Sequence, residues 1–326
     1  MSAQISTILA PLFTITGAVA LGMIMRATGI FKGDEAGLIN RIVMTVLLPV
    51  FVFSAIKGVK NENIHLDILK IPLVALLVIA ISGGVAYVLG RFLLHLNRPQ
   101  MGAFLLTTMF GSTGFIGLPL VNSIYPNPSD PKAPSPWILQ HAFYSELGSL
   151  TLLVTLGIVI ASYYGEQSYG GQSSFSWRLL LEVPRNGPFL GLIMGLLFYT
   201  TDIPAPLQST LSFLGTATLP LMMFSLGLTI VWRDIRSYLA PVFSMNFIKL
   251  IFAPVLALLL ARTLGLDGPT QGVIMLNAAT PSMIISLVYA AQYKLDRELA
   301  STAVFSSFFF CLVTIPLVAL LLPPFK

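Results

Sequence analysis

Predominantly apolar runs of about 20 residues, the length a helix needs to cross the hydrocarbon core of a bilayer, recur along this entire chain. They fall at about 6–27, 36–56, 69–91, 100–123, 137–163, 187–201, 207–231, 238–262, 270–291 and 300–322. Each is long enough to cross except the sixth. Charged residues make up 10% of the 326 and hydrophobic ones 56%. A soluble domain carries about 25% charged residues. This balance excludes a soluble enzyme, a nucleic-acid binder and a disordered tail. The expected fold class is all-α integral membrane, with ten transmembrane helices.

The net charge of +5 reports loop charges that orient the chain, not a nucleic-acid partner. The odd-numbered loops carry 11 Lys or Arg, against 6 in the even loops and the termini. That bias places the odd loops in the cytoplasm and both termini outside. The opening MSAQIS has no basic segment and no small-residue cleavage site, so the first run is expected to be a retained helix. The one cysteine, Cys311, lies in an apolar run and forms neither a disulfide framework nor a metal site. Residues 125–136 hold five prolines and predict a stiff outer loop. The polar, Gly/Ser-rich stretch around 166–186 divides the chain into halves, 1–165 and 187–326, joined by a cytoplasmic linker.

The halves echo each other. Thr45–Ser54 reads TVLLPVFVFS and Thr216–Ser225 reads TATLPLMMFS, both fitting T-x-x-L-P-x-x-x-F-S at a displacement of 171. The fourth run opens on Pro99-x-x-Gly102 and the ninth on Pro269-x-x-Gly272, displaced by 170. Chance matching among common residues is the bland alternative. A real repeat of five helices inserts its second copy upside down, giving two inverted five-helix repeats. That arrangement marks secondary transporters, whose substrate site lies near the midplane between repeats.

Such sites are built from interrupted helices, because unwound backbone survives at membrane depth only where protein or a cavity satisfies it. The fourth run carries Gly111, Ser112, Thr113 and Gly114 at its middle; the ninth carries Asn277, Thr280, Pro281 and Ser282. A displacement of 170 superposes Gly111 on Pro281 and Ser112 on Ser282. Thr280 before Pro281 reads as an N-cap followed by proline at the first helical position. Ser112 or Thr113 is a candidate cap for the other half-helix. Two converging helix N-termini with unpaired N–H groups would suit a carboxylate. The alternative is that these Gly and Pro residues serve packing or kinks, as they ordinarily do in transmembrane helices.

Ionisable groups inside spans are expensive and mark function by default. Lys249 lies near the centre of the eighth run, with Asn246 one turn earlier on the same face. Two readings stay open: a counter-charge for an anionic substrate, or a tether for exposed carbonyls of a break. Glu146 in the fifth run is the candidate for coupling an ion, or else a partner for Lys249.

At these residues the chain resembles a known family. GSTGFIGLPL, LLPVFVFSA and AATPSMIISLVYAAQYKLD are similar to segments of the auxin efflux carrier family, which includes bacterial malonate or malate permeases and plant auxin exporters. The resemblance implies broken crossing helices four and nine, a scaffold of spans one, two, six and seven, and elevator-like movement of the rest. It implies a substrate site at Gly111, Ser112, Thr113, Gly114, Asn277, Thr280, Pro281 and Ser282, beside Lys249 and Asn246. At the fourth-run break, Gly111-Ser112 stands where family members often carry an amide, which argues against auxin itself as substrate. Only 24 residues, 163–186, stand in place of the long loop of plant exporters, so a compact prokaryotic carrier of the inner (plasma) membrane is the better fit.

The functional expectation is therefore a secondary carrier for a small organic anion, with no cofactor, coupled to H+ or Na+ or to neither. Its expected partners are the lipid bilayer and, by resemblance only, a second copy through the scaffold. A sodium-coupled symporter of the bile-acid type is the alternative, followed by a channel or membrane sensor. An intramembrane enzyme is disfavoured, since the chain has no H-E-x-x-H and no G-x-S-x-G, and the absence of an ATP-binding loop disfavours direct ATP drive.

Overall fold

The computed structural model describes residues 17–32, 35–57, 66–127, 134–165, 187–229 and 238–322. The central linker 166–186, the start of the first run and residues 128–133 of the proline-rich loop lie outside them.

Each expected run is helical where it is described. Helix α1 is Gly17–Ala27. Helix α2 covers 35–57, as Glu35–Ile42, Val43–Leu47 and Leu48–Lys57. Helix α3 is Asp67–Leu93. The fourth run is split into α4, Arg98–Met109, and α5, made of Thr113–Gly117 and Leu118–Ile124. Helix α6 is Ile138–Tyr164. Then come α7, Gly187–Leu197, followed by α8, Ala205–Thr216, and α9, Thr218–Thr229, which adjoin at Ala217. Helix α10 is Leu239–Thr263. The ninth run is split into α11, Gly268–Ala278, and α12, Ile285–Gln292, and α13 is Arg297–Ala319. Among the described residues, α3, α6, α10 and α13 are each long and apolar enough to cross a membrane as single helices.

Prolines explain three of the places where these helices widen. Proline cannot donate to the carbonyl four residues back and its ring clashes with it. The π-type turns 43–47, 113–117 and 248–252 end two residues before Pro49, Pro119 and Pro254. In the first and last, the amide just before the proline reaches five residues back, Leu48 to Val43 and Ala253 to Ile248.

Two compact units share the chain, and each draws helices from both sequence halves. The first contains α1, α2, residues 114–142, α7, α8 and α9. Within it, small residues let backbones touch. A Cβ on Gly22 would land on the Phe224 carbonyl, and one on Gly227 on the Val19 carbonyl. Basic side chains meet carbonyls at helix C-termini, where the dipole favours them. Arg26 Nη1 donates to the Leu228 carbonyl at 2.6 Å, and Lys57 Nζ to those of Phe198 at 2.7 Å, Tyr199 at 2.9 Å and Thr201. Thr218 Oγ1 donates to the Leu47 carbonyl at 3.2 Å.

The second unit contains α3, α4 with Thr113, most of α6, and α10 to α13. Its centre is formed by the half-helices α4 and α11. Every residue from Met101 to Met109, and from Gly272 to Ala278, is buried. Helices so enclosed are apolar all round, which is why neither shows the one-sided pattern of a surface helix. Their starts explain the Pro-x-x-Gly echo. Asn97 caps α4 with a capping box to Gln100, Asp267 caps α11 through the Thr270 amide, and a proline follows in each first turn.

Candidate functional site

The two interruptions meet. After α4, Phe110 is extended, and Gly111 pairs with Ser282 in an isolated antiparallel bridge. The Ser112 amide donates to the Pro281 carbonyl at 2.7 Å, and the Met283 amide to the Phe110 carbonyl at 3.0 Å. These reciprocal bonds flank the Gly111–Ser282 pair, which is itself the non-hydrogen-bonded kind, where the chains approach most closely. Gly111 thus faces Ser282, the residue after the Pro281 on which the displacement of 170 superposes it.

The exposed ends of α4 and α11 are closed by side chains. Ser282 Oγ donates to the Thr107 carbonyl at 2.5 Å, with Met245 Sδ 3.3 Å away, and Ser286 Oγ donates to the Leu106 carbonyl at 3.2 Å. Thr280 Oγ1 donates to the Asn277 carbonyl at 2.7 Å, and Lys249 Nζ to that of Ala278 at 3.1 Å. Gly111 is required here for space. A Cβ would sit 2.7 Å from Lys249 Nζ and also strike the Thr280 hydroxyl. The buried ammonium therefore lies directly against the bridge.

One capping expectation is overturned. Thr280 does not N-cap a helix beginning at Pro281; its hydroxyl turns back onto α11, and α12 begins only at Ile285, without a side-chain cap. Thr113 Oγ1 lies 2.9 Å from Ser145 Oγ, a pair in which either hydroxyl can donate. The expected row of unpaired amides is also reduced. Besides those of Ser112 and Met283, the Thr113 amide donates to the Gly111 carbonyl at 2.8 Å and the Ser282 amide to Ser307 Oγ at 3.0 Å. Buried N–H groups rarely go unpaired, and two crossing segments of extended backbone satisfy one another.

The structure thus gathers Gly111, Ser112, Thr280, Pro281, Ser282 and Lys249 into one cluster, with Thr113 at its edge. Gly114 follows in the first turn of α5, in the other compact unit. Asn277 donates from Nδ2 to the Val273 carbonyl at 2.8 Å, and its Oδ1 is buried without a hydrogen-bond partner. Asn246 turns to α13, donating to Ser306 Oγ at 3.0 Å as well as to the Val242 carbonyl, and its Oδ1 is likewise unmatched. Glu146 Oε1 accepts from Ser145 Oγ at 2.9 Å, so its partner is not Lys249. Glu146 and Lys249 both lie in π-type turns, 143–150 and 248–252, a distortion common at functional positions.

Sequence reading missed Ser145, Ser286, Ser306 and Ser307. Hydroxyls scattered in apolar runs carry no periodic signal, though Ser145 is adjacent to Glu146 and the Ser306–Ser307 pair interrupts a run of aromatics.

Comparisons with known proteins identify the family. A family model described as membrane transport protein matches residues 5–319. An uncharacterized transporter of Methanocaldococcus jannaschii is 27% identical over 305 residues, covering 92% of this chain and 94% of its own. One of Methanothermobacter thermautotrophicus is 26% identical over 300 residues, covering 92% and 93%. Auxin efflux carrier component 7 of Arabidopsis thaliana is 29% identical over 134 residues, 39% of this chain and 22% of its own. The chain is a membrane transporter and belongs to the membrane transport protein family that includes the auxin efflux carriers.

Proposed function

We propose that the chain is a secondary carrier for a small organic anion, a carboxylate, bound at the crossing of the two interrupted helices and carried by elevator-like alternating access. The observation that carries this reading is the bridge between Gly111 and Ser282 with the Lys249 ammonium packed against it. Hydrogen-bonding backbone and a positive charge, deep inside a transporter, suit an anion better than a cation or an apolar solute. Lys249 acts through its field, since its ammonium donates to the Ala278 carbonyl.

The inverted repeat is part of the proposal and has support beyond the sequence echoes. Leu47 with Thr218 and Gly111 with Ser282 are both 171 residues apart, and both pairs touch. Equivalent residues of two repeats meet only at the two-fold axis that relates them. The interleaving of the halves into compact units supports one unit moving as a carrier of substrate. The membrane proposed is a prokaryotic inner membrane, with both termini outside.

Thermal melting of the detergent-purified chain against dicarboxylates, aromatic carboxylates and amines tests the reading. A ligand at about 100 times its dissociation constant stabilises by about 2.7 kcal/mol. Stabilisation by a carboxylate, weakened in Lys249→Met, and saturable counterflow of that carboxylate in proteoliposomes are the expected results. A response to amines alone, or flux that does not saturate, refutes it. Loss of counterflow when Na+ is replaced by K+ moves the reading to a sodium symporter.

A further inference from the structure

Thr113, Ser145 and Glu146 form a hydroxyl chain that reaches from the interruption after α4 to a buried carboxyl. Thr113 Oγ1 and Ser145 Oγ are 2.9 Å apart, and Ser145 Oγ is 2.9 Å from Glu146 Oε1. All three side chains are buried, and Glu146 Oε2 has no hydrogen-bond partner among the described residues. Thr113 follows directly on Ser112, whose amide holds the bridge to Pro281.

Counting hydrogens fixes the polarity of this chain. A hydroxyl has one hydrogen, and an ionised carboxylate accepts only. While Glu146 is ionised, the Ser145 hydrogen points at Oε1, so the Thr113 hydrogen points at Ser145. Thr113 then has lone pairs but no hydrogen to offer an anion. A proton on Oε1 permits the reverse order: Glu146 donates to Ser145, Ser145 donates to Thr113, and the Thr113 hydrogen is released toward the interruption. We infer that Glu146 binds a proton that, through Ser145, turns Thr113 into a hydrogen-bond donor for the anionic substrate, so that proton and anion are taken together.

The inference rests on the proposed anion site and adds to it the coupling ion. Binding linkage makes it reciprocal, the anion favouring the proton as much as the proton favours the anion. One charge-assisted hydrogen bond gained with the proton corresponds to an affinity roughly tenfold to a hundredfold tighter. Ionisable groups around Glu146 are few. Helix α3, packed most extensively on the turn 143–150, carries Asp67, Lys70, Tyr87 and Arg91 toward its ends. Helix α11 and the turn 153–157 bring none. Tyr144 shares the turn and His141 precedes it, while Lys249 stands across Gly111.

The test uses the full chain in two forms. In proteoliposomes, affinity for a carboxylate active in counterflow is measured between about pH 6 and 8, where the carboxylate itself stays ionised. The wild type should bind more tightly as pH falls and accumulate substrate against an imposed pH gradient. Glu146→Gln, which cannot exchange a proton and whose NH2 can donate to Ser145 at every pH, should lose the pH dependence of affinity and lose gradient-driven accumulation. Thr113→Val should also lose the pH dependence, with weaker binding throughout, and serves if the first variant fails to fold. Counterflow with pH-independent affinity in the wild type overturns this inference and leaves the carrier reading standing. No exchange of any carboxylate overturns the carrier reading instead. Infrared difference spectra of the substrate-free protein decide the proton separately. A carboxyl band that appears on acidification, vanishes in Glu146→Gln and shifts in Thr113→Val supports the relay, and its absence from the wild type overturns it.

Discussion

Gly111→Ala adds one methyl group at the tightest point of the crossing, and the structure gives the scale of the penalty. The new Cβ lies 2.7 Å from Lys249 Nζ and 3.0 Å from its Cε, besides striking the Thr280 hydroxyl. Neither neighbour is a loose side-chain end. Lys249 is held by the Ala278 carbonyl at 3.1 Å and Thr280 by the Asn277 carbonyl at 2.7 Å. Overpacking costs about 1–3 kcal/mol. Loss of a charged hydrogen bond adds about 1.5–3 kcal/mol. A destabilisation of about 3–5 kcal/mol is expected from the two together. Gly114→Ala is the internal control, because nothing lies within 4 Å of its Cβ, and it should be close to neutral. The measurement is unfolding of the purified protein in mixed micelles, run as a double-mutant cycle with Lys249→Met. Methionine ends one atom short of the ammonium, so the cost of Gly111→Ala should fall by about 1 kcal/mol or more in that background. Equal costs in both backgrounds, or equal costs for Gly111→Ala and Gly114→Ala, would refute the reasoning.

Three further outcomes follow from individual contacts. Ser282→Ala removes one interhelical hydrogen bond to the Thr107 carbonyl, and membrane double-mutant cycles put such bonds at about 0.6–1.7 kcal/mol; the same unfolding assay should show this milder loss. Gly227→Val drives a side chain into the Val19 carbonyl and the Gly22 backbone, which cannot rotate away, so the melting temperature should fall more than for Ser282→Ala. Lys57→Met leaves three carbonyls after α7 without their ammonium and should cost about 1 kcal/mol, measurable as faster amide exchange at the end of that helix.

How much of this was legible beforehand depended on the range of the interaction. Apolar runs report helices because burial and lipid exposure act on every residue of a run, and the Gly111–Gly114 and Asn277–Ser282 clusters marked the interruptions through local backbone chemistry. Capping was legible only in part. Asn97 and Asp267 begin their helices as such residues ordinarily do, whereas Thr280 has the right neighbour in Pro281 and serves the preceding helix instead. The cap choice there was settled by the crossing, which holds Ser282 and Met283 in an extended pairing and delays α12 to Ile285. The pairing register of the crossing was not legible either. From the cap to the bridged residue α4 uses Asn97 to Gly111, while α11 uses Asp267 to Ser282, one residue more. A displacement measured at the helix starts cannot report an extra residue inserted farther along.

The crossing itself is two-fold in its backbone and unequal in its charge. The bonds from Ser112 to Pro281 and from Met283 to Phe110 mirror each other about the Gly111–Ser282 pair. The helix ends beside them do not match: Leu106 and Thr107 carbonyls face neutral serine hydroxyls, and the Ala278 carbonyl faces an ammonium. A helix C-terminus carries roughly half a negative charge, so part of the Lys249 charge is offset where it stands. For the proposed carrier this has a consequence. An anion that needed Lys249 as a direct donor would compete with the bond to Ala278, and each turnover would loosen the end of α11. An anion that uses only the field of Lys249 leaves that bond intact and requires its directional donor from elsewhere. Thr113, at the other edge of the same bridge, is placed to be that donor once Glu146 holds a proton. Fixed positive charge and switchable donor then divide the work, the first selecting anions in every state and the second deciding when one is held.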